Sequence, residues 1–162
     1  MSDRATLLEA AVKKRMIDAQ RHVRALEYGA AQFGPDFDPQ LFESAWHSDE
    51  PGDLIRTYAV QAGYENVINA CVKIVQELAE LKGWAAPGVE TTSALALNLL
   101  HDNGVISAAT RAALKEAQER RSDVQHDYVG VDAADVRAAA LAVIEHAPLL
   151  LQDVAAELRQ GR

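Results

Sequence analysis

Arg121, His126 and Tyr128 fall within eight residues of one another, in the run RRSDVQHDY at 120–128. The other long segments of the chain are built mostly from Ala, Leu, Val and Glu. A guanidinium is the side chain best shaped for bidentate contact with phosphate, and an imidazole near its ordinary pKa both accepts and donates a proton close to neutral pH. Together they are the minimal set for moving a phosphate ester. Helical spacing through Thr110, Leu114, Ala117, Arg121 and Val124 puts Arg121 where an apolar residue is expected. A guanidinium there is costly unless it is paired or opens onto a polar cleft.

Five residues along a regular helix give about 140° of rotation and roughly 7.5 Å of rise, so Arg121 and His126 converge only where the helix stops. The following YVGVDAAD holds a glycine and a capping aspartate, which predicts a helix end near His126 with His126 and Tyr128 on the exit turn. The same residues allow a purely structural arrangement. In it Arg121 pairs with Asp123, Asp127 or Glu145 and His126 caps the helix end. Spacing does not choose between the two.

The elements that must position these residues are helical. Leu8, Val12, Met16, Ala19, Val23, Leu26, Ala30 and Phe33 recur at steps of three or four and predict a helix over about 4–32. FGPDFDPQ, with two prolines and a glycine, breaks that ladder and reads as a loop. A short turn over Leu41–Trp46 is allowed. SDEPGD then supplies Ser and Asp as capping candidates, and a second stripe from Val60 to Leu81 predicts a helix over about 52–82. TTSALALNLLHD, ending at Asn-Gly, predicts a shorter helix over 91–102, and Ser107 opens the helix that carries the motif. From Asp132 a nearly unbroken apolar face, Val136 to Leu158, runs almost to the end, with Pro148 expected to kink it or divide it in two. The expected fold is all-α, an antiparallel bundle of four to five helices in a single domain over 1–162, without strands.

Composition narrows the function. A net charge of -8 and a pI near 5.0 argue against a broad electropositive surface for nucleic acid, but leave room for a small cationic cleft. Cys71 is the single cysteine; on an apolar stripe with no local base, it reads as a core residue. His22, His47, His101 and His146 stand singly, without the spacing of a metal site. Tyr58, Glu65 and Asn69 of the second long helix, with Arg56, would border the cleft if that helix faced Arg121. The N-terminal MSDRATLLEAAVKKR has no apolar h-region, and no run of about 18 uncharged apolar residues occurs, so neither a signal peptide nor a membrane span is expected and a reducing cytoplasm fits.

RSDVQHDY resembles the Arg-x4-His-x-Tyr motif of the HEPN superfamily, in particular the HepT-like toxins, and it resembles them too in lying between the last two long helices of an all-helical bundle. The resemblance implies a metal-independent endoribonuclease that needs no cofactor, cleaving RNA as a homodimer whose two motifs line one cleft. Carried over, Arg121 would stabilise the scissile phosphate and His126 would act as general acid or base as a ribose 2′-hydroxyl attacks phosphorus. Tyr128 matches the tyrosine that a nucleotidyltransferase antitoxin modifies with adenylate, which implies such a partner and a toxin-antitoxin pair. Ser122 and Asp123 would support the site. Many members carry an amide, commonly Asn, directly after the motif arginine, whereas Ser122 is smaller and makes fewer hydrogen bonds. Two other readings stay open: a noncatalytic module that holds a nucleotide or RNA end in the same pocket, and a structural bundle that dimerises through an apolar face.

Overall fold

The computed structural model describes residues 3–89, 91–126 and 131–160, with side chains as far as Arg121 and again from Val131. These form six helices: α1 (Asp3–Ala31), α2 (Pro39–Trp46), α3 (Pro51–Leu81), α4 (Ser93–Asp102), α5 (Ala108–His126) and α6 (Ala133–Gln160). The fold is all-α, with one helix more than the stripes predict. The addition is α2, whose eight residues are too short for periodicity to register. Its start is strongly specified nonetheless. Asp38 accepts hydrogen bonds from the backbone N–H groups of Gln40 and Leu41 at 2.9 and 2.8 Å, and Pro39 occupies the first turn, where its missing N–H costs nothing.

Phe42 of α2 explains why so short a helix holds. Its ring meets Phe33 and Phe37 edge-on, with centroids 5.0 and 4.9 Å apart, a favoured geometry for aromatic quadrupoles. Phe37 takes a positive φ of 50° in the α1–α2 connection, and Arg137 of α6 donates from Nε to its carbonyl oxygen at 2.5 Å. The loop is thus tied to the core at both levels.

α3 is the axis of the bundle, packing against all five other helices. Its stripe of Val60, Tyr64, Val67, Ile68, Cys71, Ile74, Val75 and Leu78 is buried throughout. α1 runs antiparallel to it, joined by Arg15 and Glu77 at 2.8 Å and by Arg4 with Glu80. The two backbones approach closely at Gly63, where an added Cβ would meet Leu26 Cδ1 at 3.2 Å and Leu26 Cα at 3.4 Å. α3 does not begin on the expected Ser or Asp cap: Glu50 stands at the N-cap without a side-chain bond, while Ser48 Oγ accepts from the Glu50 N–H at 3.1 Å.

α6 runs antiparallel to α5 and α1 and in the same direction as α3, so that Lys82 beyond the end of α3 meets Glu157 at 2.5 Å. It continues as a single helix through Pro148, so of the two expectations, a kink or a division in two, the division does not occur. Proline removes one backbone bond; burial of Val136, Ala140, Val143, Ala147, Leu150, Leu151 and Val154 on the core side holds the turns before and after it together. By length and hydropathy α6 is the one described helix apolar enough to cross a membrane. Its apolar face is nonetheless the one that completes the core, with α1, α3 and α5 packed around it.

Candidate functional site

Ser107 starts α5 as expected, its Oγ accepting the Thr110 N–H at 3.1 Å. From there the inner stripe holds Thr110, Leu114 and Ala117, all buried, and then reaches Arg121, which is half-buried. Thr110 is satisfied locally: Ser107 Oγ donates to its hydroxyl at 3.1 Å, and His146 Nδ1 of α6 lies 3.3 Å away. Arg121 has no such arrangement. Its Nε is buried, and among the described residues it meets no hydrogen-bond acceptor and enters no ion pair.

The neighbouring Arg120 is disposed of quite differently. Its guanidinium donates to Glu116, one turn back, at 2.8 Å and to Asp135 in the first turn of α6. That clip fastens the end of α5 to the start of α6, and its two carboxylates hold the Arg120 pKa above its ordinary value, the bond to Glu116 foremost. The two arginines of the run are therefore divided in labour: Arg120 ties α5 to α6, and Arg121 is left on the side of α3.

On α3 the group that feels Arg121 is Tyr64. Its ring is wholly buried, and its Oη, like Arg121 Nε, finds no hydrogen-bond partner among the described residues. Burial pushes the phenol up to about 12; the charge of the adjacent Glu65 pushes the same way, and Arg121 and Arg120 pull against both. At neutral pH Tyr64 is thus an O–H donor. Glu65 itself accepts from Gln61 Nε2 at 3.3 Å. In the sequence Tyr64 counted only as a member of an apolar stripe. The available signal was a hydroxyl on an otherwise apolar face, and nothing local says whether that hydroxyl finds a partner.

Of the other motif residues, Ser122, Asp123 and His126 are carried by the last described turns of α5, and the expected helix end near His126 falls at the edge of the described residues. Their side chains, and the whole of Asp127 and Tyr128, lie outside the described residues. Glu145, one of the carboxylates considered for Arg121, is exposed on α6 and stands 4.0 Å from His146. Arg56 does not face the motif: it pairs with Asp53 and lies over the Phe33 ring at 5.2 Å. Tyr58 and Asn69 point to solvent.

Cys71 is a core residue, its thiol pushed up to about 12 by burial alone. His47 caps the end of α2, and His101 stands between Asp102 and Arg111 at 3.2 and 3.4 Å. Among the described residues no three His, Cys, Asp or Glu side chains gather as metal ligands.

Residues 43–152 match the family model described as "Ribonuclease HepT-like", which takes in α3 to α5 entire, the second half of α2 and most of α6. Among solved structures, the tri-AMPylated HEPN toxin of Shewanella oneidensis, determined in complex with its MNT antitoxin, superposes with a TM-score of 0.69. The superposition covers 96% of this chain and 99% of that one at 14% sequence identity, a likeness of fold. No curated protein matches the chain.

Proposed function

The chain belongs to the HepT-like ribonuclease family, and from that premise we propose that it is a metal-independent endoribonuclease, the toxin of a toxin-antitoxin pair. Arg121 holds and stabilises the scissile phosphate. His126 acts as general acid or base while the ribose 2′-hydroxyl attacks the adjacent phosphorus, which restricts the substrate to RNA. Ser122 and Asp123 flank Arg121 and support it. The observation that carries this reading is a guanidinium on the inner side of α5 whose buried Nε has no acceptor among the described residues. Arg120, beside it, is by contrast held by the carboxylates of Glu116 and Asp135.

The protein works as a homodimer in which two motifs share one cleft. Its partner is a nucleotidyltransferase antitoxin, a role supported by the antitoxin bound to the Shewanella oneidensis toxin. That partner transfers adenylate to Tyr128, bringing bulk and negative charge to a phosphate-binding cleft and repelling substrate.

Cleavage of RNA by wild type, Arg121→Ala, His126→Ala and Arg120→Ala tests the reading. Loss of cleavage in the first two variants is expected. Arg120→Ala, whose guanidinium is occupied by Glu116 and Asp135, keeps it. Equal cleavage by all four proteins rules out the proposed roles.

A further inference from the structure

α1 carries two lines of residues on opposite sides. Val12, Ala19, Val23, Leu26 and Ala30 form the first, buried against the rest of the bundle. Leu7, Ala10, Lys14, Ile17, Arg21, Arg24 and Tyr28 form the second, at alternating steps of three and four, the repeat with which one helix presents an unbroken line to another. At about 100° per residue the second line lies opposite the first. Every residue of it is exposed, with Leu7, Ile17 and Tyr28 at 70, 57 and 72%. Exposed apolar residues scattered singly need no explanation. Three on one helical line, interleaved with cations, do.

Lys14, Arg21 and Arg24 are those cations, and among the described residues none of them enters an ion pair or a hydrogen bond. Other cations of the chain are matched: Arg4, Lys13, Arg15, Arg56, Lys82 and Arg120 each have a carboxylate partner. On a protein of net charge -8 the line is therefore a local reversal of sign. Asp18 and Glu27 stand on its two flanks and, among the described residues, pair with none of its cations.

Whatever covers this line must be anionic and must also offer apolar groups at helical spacing. A second copy of the line fails the first condition. Parallel pairing sets Arg21 and Arg24 against themselves, and antiparallel pairing about Ile17 sets Lys14 against Arg21. RNA is anionic, but α1 packs on α3 and α6 and not on α5, and the line faces away from that core, so a strand lying along it runs remote from Arg121. An acidic amphipathic helix meets both conditions. We propose that the outer line of α1 docks such a helix of the nucleotidyltransferase antitoxin, with Asp or Glu facing Lys14, Arg21 and Arg24 and apolar side chains facing Ala10, Ile17 and Tyr28. The identity of the partner rests on the toxin-antitoxin reading above. The Tyr28 end of the line lies at the end of the bundle that carries the motif: a groove there is lined by Glu27 and Ala30 of α1 with Leu141 and Ile144 of α6, and the first turn of α6 is clipped to α5 through Arg120. A partner held on α1 is thus brought to that end of the bundle without filling the cleft in which it has to work.

The nucleotidyltransferase encoded beside this chain is the probe, titrated by calorimetry against wild type, Arg21→Glu/Arg24→Glu and Ile17→Ser. Lys73→Glu/Arg159→Glu is the control of equal charge change, its two cations being exposed on α3 and α6. The double reversal on α1 should weaken binding by roughly tenfold or more and flatten its dependence on salt. Ile17→Ser should weaken it roughly tenfold, and the control should change it little. Adenylate transfer to the chain should show the same factors in KM with kcat retained, while RNA cleavage by the free chain stays at the wild-type level. Antitoxin that binds and modifies all four proteins alike overturns the docking line and leaves the antitoxin reading standing. Antitoxin that does not bind wild type removes that reading and the proposal together. A double reversal that instead weakens binding of single-stranded RNA, or changes the sedimentation of the chain alone, gives the line to RNA or to a second copy and overturns the proposal. Equal weakening in the control reduces the effect to overall charge and overturns it as well. The substituted side chains are all exposed, and urea unfolding of each variant checks that the fold is kept.

Discussion

Replacing Tyr64 by phenylalanine should remove part of the protein's sensitivity to alkali. The phenol titrates near 10 when the chain is unfolded and is pushed up to about 12 in the fold, by burial first and by the charge of Glu65 second. A group whose folded pKa lies above its unfolded one contributes stability below the unfolded value, and that contribution drains away as pH climbs through the interval. At pH 11 the unfolded phenol is about nine-tenths ionised and the folded one about one-tenth. The ratio is about tenfold, equivalent to about 1.4 kcal/mol of lost stability relative to pH 8. Tyr64→Phe cannot lose it. Urea unfolding of both proteins at pH 8 and pH 11, followed by circular dichroism and analysed for midpoint and slope, measures the difference directly. All other titrating groups, Cys71 among them, are common to the two proteins and cancel. At pH 8 the variant should match wild type or exceed it by up to about 1 kcal/mol, because an unpartnered hydroxyl leaves the interior without a cavity in its place. Equal losses between pH 8 and pH 11 in the two proteins would show that the phenol is not held in a buried, unpartnered state, and the reasoning about Tyr64 would fall with it.

The thiol of Cys71 should resist a disulfide reagent at pH 8 in the native protein and react at least 100-fold faster in urea, since it is buried and pushed up to about 12; a native rate close to the unfolded one would contradict its place in the core. Asp38→Ala removes the acceptor for the first N–H groups of α2 and should cost about 1 kcal/mol in urea unfolding; an unchanged midpoint would mean that the Phe42 ring cluster alone holds α2.

The long helices were legible because α1, α3 and α6 each repeat their apolar residues over many turns, and a stripe such as Val60 to Leu78 admits no other period. The all-α class follows from those stripes. α2 escaped the periodic reading because Pro39–Trp46 offers barely two turns, and its real markers were local: an aspartate followed by a proline. Pro148 left two outcomes open, a kink or a division, and only the division is excluded. A rule about a single backbone bond was set against a core face that extends on both sides of it, and the face prevailed. Within the site, Arg121 was visible as a charge on an apolar stripe. Tyr64 was not, since a tyrosine satisfies a stripe with its ring whatever its hydroxyl meets, and only the packing of α3 against α5 brings that hydroxyl into relation with Arg121.

Gly63 immediately precedes Tyr64, and it is there that Leu26 leans on α3. α1 bears none of the motif, yet it packs directly on the turn of α3 that precedes Tyr64. A methyl group added at 63 gains helix propensity of up to about 1 kcal/mol but meets Leu26 Cδ1 at 3.2 Å and Cα at 3.4 Å, so the two helices must shift against one another to admit it. The absence of a side chain at one position is therefore what sets the spacing at which the two longest-packed helices meet.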